Sequence, residues 1–184
     1  MEDGGYKIRN QEAIHFITFA VVGWVDVFTR KDYRDILLDS VRFCQAEKQL
    51  AIHAWCIMSN HVHFILSARQ GNLSDVVRDF KKFTSQKLVK AIADNKQESR
   101  REWMLDIFAK EGESNARNVR CQFWRQDNRP IELYSSKFIF QRMNYIHNNA
   151  VEAGLVTQAE HYVYSSAKDY VLQERCGLLE VVFL

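Results

Sequence analysis

Apolar residues along the chain alternate between two periods. Residues 14–22 are rich in β-branched and aromatic side chains and predict a first strand. Over residues 31–49 the apolar positions Tyr33, Ile36, Leu37, Val41 and Cys44 recur at helical spacing, which predicts a helix. Residues 50–58 read as a second strand. Ser59 and Asn60 make a tight turn into His61-Val62-His63-Phe64-Ile65-Leu66, so the two strands read as a hairpin. Asn72 or Ser74 caps a second long helix whose inner stripe is Leu73, Val76, Phe80, Phe83 and Leu88. Residues 96–118 are highly charged. Within them 98–110 fits a short amphipathic helix and 111–118 a loop. Residues 120–126 read as a short strand. Pro130, the single proline, marks a turn. Ser135 or Ser136 then caps a helix that runs to about Ala150 and stops before Gly154. Residues 178–184 read as a final strand. Strand, helix, hairpin, helix, strand is the order of an α+β, ferredoxin-like (RRM-like) antiparallel sheet with helices on one face. An added C-terminal helix completes it. No repeat or linker divides the chain, and 184 residues suit one domain over 1–184 with a core at about 14–167.

Composition narrows the function classes. The chain is 47% hydrophobic and 26% charged, ordinary for a soluble globular protein. No apolar run approaches the ~20 residues of a membrane span. Residues 1–11 are polar and do not read as a signal peptide. The four cysteines (Cys44, Cys56, Cys121, Cys176) are far apart without a Cys-x-x-Cys, so reduced thiols in a cytoplasmic protein are the simplest account. A net charge of +2 neither demands nor excludes nucleic acid, so the distribution of charge matters more than its sum.

Two groups of residues carry chemistry. His61 and His63 are two apart on a strand, so they share one face while Val62, Phe64 and Leu66 line the other. Their backbones lie roughly 6.5–7 Å apart, close enough for both rings to reach one metal ion. The same pair also fits a half-exposed face with two solvated or satisfied histidines. On the last long helix, Ile139, Met143, Ile146 and Ala150 make a buried stripe. Tyr145 and Asn149, four apart, share the neighbouring face, with Arg142 one turn earlier. A tyrosine in that place is most often a packing residue with a wet hydroxyl. An unperturbed tyrosine titrates near pH ~10, so as a nucleophile it needs a metal-activated substrate or a base.

Taken together, the two groups resemble a family. Ser59-Asn60-His61-Val62-His63-Phe64-Ile65-Leu66 is similar to the His-hydrophobe-His motif of the HUH-type single-tyrosine transposases. Tyr145-Ile146-His147-Asn148-Asn149-Ala150-Val151-Glu152-Ala153-Gly154 is similar to their later tyrosine motif. The resemblance is nearest to the REP-associated tyrosine transposases of the IS200-like family and runs from about Ile14 to Ala167. Ser59 and Ala150 stand where that family often has proline. The resemblance implies cleavage and joining of single-stranded DNA. Tyr145 would be the catalytic nucleophile, giving a 5′-phosphotyrosine link and a free 3′-hydroxyl. His61, His63 and a third polar residue would hold a divalent metal, Mg2+ or Mn2+. Asn149 is the first choice for that third ligand and Glu152 its rival. His147 points away from Tyr145 and ranks lower. Single-stranded or hairpin DNA is the implied partner, with monomer and homodimer both open.

DNA binding needs cations and stacking partners. Residues 117–129 hold Arg117, Arg120, Arg125 and Arg129 against one acid, Asp127, with Phe123 and Trp124 interleaved. Trp124 is the candidate stacking platform. The helix over 78–90 presents Arg78, Lys81, Lys82, Lys87 and Lys90. Either cluster also fits a plain solvated face. Two other functions remain open: a zinc-dependent hydrolase using the histidine pair with water as nucleophile, and a host-adopted, non-catalytic DNA-binding protein of the same fold.

Overall fold

The computed structural model describes residues 7–70, 72–114, 121–175 and 177–184. Four strands, β1 (His15–Ala20), β2 (Leu50–Ile57), β3 (His61–Ala68) and the two-residue β4 (Ile131–Glu132), form one sheet in the order β2-β3-β1-β4. Every pairing is antiparallel. This is the α+β arrangement that the order of elements predicted. The helices are α1 (Lys31–Glu47), α2 (Leu73–Asp94), α3 (Arg101–Glu113), α4 (Ser136–Glu152) and the short α5 (Ala167–Val171). Among the described residues no helix is long and apolar enough to cross a membrane.

The sheet is buried on both faces, and this decides where the chemistry can sit. Ile17, Phe19, Val62, Phe64 and Leu66 pack with Leu37, Leu38 and Val41 of α1 and with Leu73, Val77, Phe80 and Leu88 of α2. A fully buried aliphatic or aromatic side chain contributes about 1.5–3 kcal/mol, so this layer dominates the stability. On the opposite face Phe16, Ala54, Cys56 and Ile65 pack under Ile146 and Ala150 of α4. The two histidines of β3 share that second face with Ile65. The hairpin between β2 and β3 is closed by Met58 N–H donating to the His61 carbonyl at 2.8 Å, with Ser59 and Asn60 in the turn as expected.

Helix ends follow their capping chemistry. The Asn72 side chain accepts from Asp75 N–H at the start of α2, and Ser135 accepts from Phe138 N–H at 3.3 Å at the start of α4. With Ala150 instead of proline, α4 continues to Glu152. It ends in a Schellman turn: Gly154 takes φ +70°, Leu155 N–H bonds the Ala150 carbonyl and Gly154 N–H bonds that of Val151.

The structure differs from the sequence expectation in four places. The buried face of α2 is turned by one residue. Val77 and Thr84 point inward while Val76 is partly covered and Phe83 is exposed. Thr84 tolerates burial because its hydroxyl donates to the Phe80 carbonyl at 2.7 Å and accepts from the Trp124 indole at 2.9 Å. The helix predicted over 98–110 starts at Arg101 and runs through Glu113, taking in residues expected as loop. Of the strand expected over 120–126, the described residues 121–126 form one bridge, between Val21 and Trp124, and β4 forms after Pro130 instead. Finally, residues 178–184 form no strand. Val182 N–H donates to the Ile52 carbonyl at 2.9 Å, but the register shift between Ile52 and Ala54 interrupts the edge of β2 beyond it.

Gly112 on α3 faces the backbone of Cys121, where an added Cβ would lie 2.6 Å from Cys121 Cα. Backbone cannot move aside as a side-chain tip can. Gly112→Ala is therefore expected to destabilise the fold by about 1–3 kcal/mol, read as a lower urea midpoint at unchanged slope.

Candidate active site

The histidine pair lies on the sheet face beneath α4. His63 pairs across β1 with Thr18, and His61 with Ala20. The two rings are 4.7 Å apart, edge to face. His61 Nδ1 is 2.8 Å from Asn60 Oδ1, while Asn60 Nδ2 donates to the Trp24 carbonyl at 3.2 Å. That second bond fixes which way the Asn60 amide points, so its oxygen faces the ring and His61 Nδ1–H must donate. The lone pair of His61 is therefore on Nε2. His63 Nδ1 lies 2.8 Å from Thr18 Oγ1. His63 Nε2 is buried and has no hydrogen-bond partner among the described residues. In the tautomer whose Nδ1–H donates to Thr18, Nε2 carries a free lone pair, the form that ligates a metal. Burial lowers the His63 pKa to about 3, with the neighbouring His61 pushing the same way. Burial also lowers that of His61, opposed by a hydrogen bond to Asn149. Both rings are thus neutral at neutral pH.

Helix α4 brings the second group onto the first. Ile146 and Ala150 are its apolar contacts with the sheet, and Tyr145 and Asn149 precede them by one residue each. The Tyr145 ring is 5.3 Å from that of His63 and 6.0 Å from Phe16, and Phe16 stacks on His63 at 5.5 Å. Tyr145 is 42% exposed, so it forms the wall of the site rather than part of the core. Asn149, not Glu152, is the α4 side chain that acts on His61; Glu152 is exposed in the last turn. His147 faces the other way. It is buried 2.9 Å from Ser166 Oγ, and burial lowers its pKa to about 4 against the pull of Asp169. The Arg142 guanidinium lies over Phe16 at 5.2 Å, one turn from Tyr145.

Among the described residues no three His, Cys, Asp or Glu side chains converge. The donors gathered here are two imidazole nitrogens and an amide oxygen. The unpartnered, buried His63 Nε2 fits a resident cation, and a neutral amide leaves such a site more cationic than a carboxylate would.

The residues expected to hold DNA fare unequally. Arg117 and Arg120 lie outside the described residues. Trp124 is 4% exposed, stacked on Phe28 at 5.8 Å, with its indole N–H on Thr84. It is a core residue, and no base can stack on it; its neighbour Phe123 is buried as well, so both aromatics between the arginines serve packing. Lys81 is also committed. Its ammonium donates to the Arg125 carbonyl and Asn128 Oδ1, and burial lowers its pKa to about 8 against Asp127. Lys82 is exposed and lines a groove of about 1170 Å³ with Arg78 and Lys90. Helix α2 covers the face opposite the histidines, so Lys81 and Lys82 stand across the sheet from them. Arg129 pairs with Asp127 at 3.2 Å. Arg125 is exposed beside the site, its guanidinium 5.3 Å above the Trp24 ring.

Trp24 is the residue that sequence reading missed. It is 53% exposed and meets His61 edge-on at 6.1 Å. It also takes φ +54°, directly after Gly23 at φ +61°. For a bulky aromatic this left-handed conformation costs on the order of 1–3 kcal/mol. The surrounding loop enforces it. Ser59 Oγ donates to Asp26 Oδ1 at 2.6 Å, Phe28 N–H to the Ser59 carbonyl at 2.8 Å, and Arg100 to the Asp26 carbonyl at 3.1 Å. The available signal was Gly23, which breaks a run of β-branched residues just before the tryptophan.

The fold thus sets two neutral histidines on one sheet face, with a tyrosine helix laid over them. The family described as "Transposase IS200 like" matches residues 12–122, more than half of the chain, and the chain belongs to that family. The matched region contains His61 and His63 and ends before Tyr145. A REP-associated tyrosine transposase bound to a REP hairpin shares the fold, with a TM-score of 0.64 at 16% identity, covering 98% of this chain and 91% of that one. A Deinococcus radiodurans protein described as a transposase aligns with a TM-score of 0.43 at 16% identity, covering 80% and 97%. No curated protein matches the chain significantly.

The buried histidines make stability depend on pH. Burial holds His53, His61, His63 and His147 below the usual histidine range in the folded state. The unfolded chain therefore binds more protons as pH falls through about 6.5, and stability is lost in that direction. His63 and His147 should each remove at most about 2 kcal/mol between about pH 7 and pH 5. Urea unfolding of metal-free protein at the two pH values checks this, and His147→Gln should flatten the dependence by one proton's slope.

Proposed function

We propose that the chain is a tyrosine transposase that cuts and rejoins single-stranded DNA, and that it acts as one domain over 1–184 with its core at about 14–167. The observation that carries this reading is the Tyr145 ring 5.3 Å from His63, whose Nε2 is buried without a partner among the described residues. His61 Nε2, His63 Nε2 and the Asn149 amide oxygen would hold the divalent ion, magnesium or manganese, with manganese accepting imidazole more readily. When bound, such an ion polarises a phosphate's oxygens and offsets their charge.

The protein's own groups do the rest. Asn60 and Thr18 hold the two rings through their Nδ1 atoms, which would leave both Nε2 atoms for the ion. Tyr145 Oη attacks the scissile phosphorus in line. A bond forms between Oη and phosphorus, the bond from phosphorus to the 3′ oxygen breaks, and the phenol proton is balanced by the proton the departing 3′-hydroxyl takes up. The product is a 5′-phosphotyrosine. Attack by a 3′-hydroxyl on that link reverses the step and joins DNA, so no external energy source is needed. Arg142 adds positive charge one turn from the nucleophile. The histidines and Tyr145 come together within one copy of the chain, so a second copy is not needed to complete the site. The hairpin named for the REP-associated structure makes hairpin DNA the preferred substrate class here.

A zinc hydrolase would instead need a further histidine or carboxylate beside the pair, and among the described residues none converges there. The competing readings part on covalent chemistry. Incubated with manganese and a single-stranded hairpin oligonucleotide from the DNA flanking its gene, the protein should form an adduct that survives denaturation. Tyr145→Phe should abolish the adduct and leave binding largely intact. His61→Ala and His63→Ala should each lose both manganese affinity, read by calorimetry, and cleavage. An adduct that persists in Tyr145→Phe would overturn the assignment of the nucleophile.

A further inference from the structure

Trp24 has no role in the reaction as described, yet it is built into the edge of the site. Asn60 joins the two directly: its amide oxygen takes the proton of His61 Nδ1 and its amide nitrogen donates to the Trp24 carbonyl. The indole stands 6.1 Å from the His61 ring, edge-on, and Arg125 lies over it at 5.3 Å. It is half exposed and held in a backbone conformation that tryptophan ordinarily avoids. A fold that only needed to fill this position would place glycine or asparagine there. An exposed indole with a guanidinium beside it is the arrangement that binds unpaired bases, since stacking tolerates any base and the cation tracks the backbone.

The geometry points to Trp24 as a stacking platform for an unpaired nucleobase next to the scissile phosphate, with Arg125 as its phosphate contact. This rests on the reading of the chain as a single-strand DNA enzyme and adds to it the group that positions the strand. It also replaces Trp124, which is buried, as the aromatic partner of the arginines.

The test measures binding of two labelled probes, an oligo-dT strand and a fully abasic strand of equal length, by fluorescence anisotropy at several salt concentrations. Trp24→Ala should weaken oligo-dT binding by about 5- to 150-fold, the equivalent of one stacked base. Its affinity for the abasic strand and its salt dependence should not change, because no phosphate contact is lost. Trp24→Phe should retain most of the oligo-dT affinity. Arg125→Ala should do the opposite of Trp24→Ala, weakening both probes and flattening the salt slope by ~0.7. If Trp24→Ala lacks a cooperative melt, Trp24→Leu, which keeps apolar volume without the ring, is judged by the same criterion. Wild-type oligo-dT affinity in the folded variant, or an equal loss on both probes, would overturn the proposal alone, provided the Tyr145 adduct forms in the wild type. If the wild type binds neither probe and forms no adduct, the functional reading falls and this inference falls with it.

Discussion

The seam between α4 and the sheet is the contact on which the site depends. Ile146 and Ala150 dock on Ala54, Cys56 and Ile65. Apolar contacts of this kind are close-packed, so the helix has one register and not several. Tyr145 and Asn149 sit one residue ahead of the two docking residues and are carried to His63 and His61 by that register. Sliding α4 by one residue would turn the tyrosine by about 100° and break the arrangement. On its far side the helix is tied by His147 to Ser166, which in turn accepts from Trp55 N–H of β2. Tyr145 is thus positioned by residues outside the candidate site.

A second constraint acts from the other end of the histidine strand. Asn60, in the two-residue turn, sets the tautomer of His61 and also holds the loop that carries Trp24. One amide therefore links the orientation of the His61 ring to the loop that carries Trp24. Burial keeps both imidazoles neutral, and neutral imidazole is the form that offers a lone pair. The site combines groups that are individually unfavourable in a folded chain. An unpartnered buried nitrogen and a left-handed tryptophan both cost stability, and the two apolar layers of the sheet offset them.

Much of this was legible in the sequence, for identifiable reasons. The β2–β3 hairpin and the long helices follow from strong periodicity and from caps such as Asn72 and Ser135. The spacing of His61 and His63 and of Tyr145 and Asn149 stated which residues share a face, and the structure adds that the two faces meet. Other features depend on tertiary context. Arg125 and Trp124 are adjacent, yet one is exposed and the other is core, because Phe123 and Trp124 both pack inward beside the bridge to Val21 and the chain emerges from the core at Arg125. Trp24 reads locally as more of a β-branched strand, and its exposure follows only from the turn at Gly23 and the bonds from Ser59, Asn60 and Arg100. Residues 178–184 have strand-like composition, but the irregular edge of β2 at His53 gives them a single backbone bond to it.

The central claim is that Tyr145 is the atom source of a covalent bond to DNA. Mass spectrometry of the wild-type protein, trapped with its hairpin substrate and digested with protease and nuclease, tests it most directly. The account predicts a nucleotide-bearing peptide that fragments to a phosphotyrosine at Tyr145, linked to the 5′ end of the cut strand. A modified peptide centred on Tyr134 or Tyr164, or cleavage with no modified peptide at all, would contradict it.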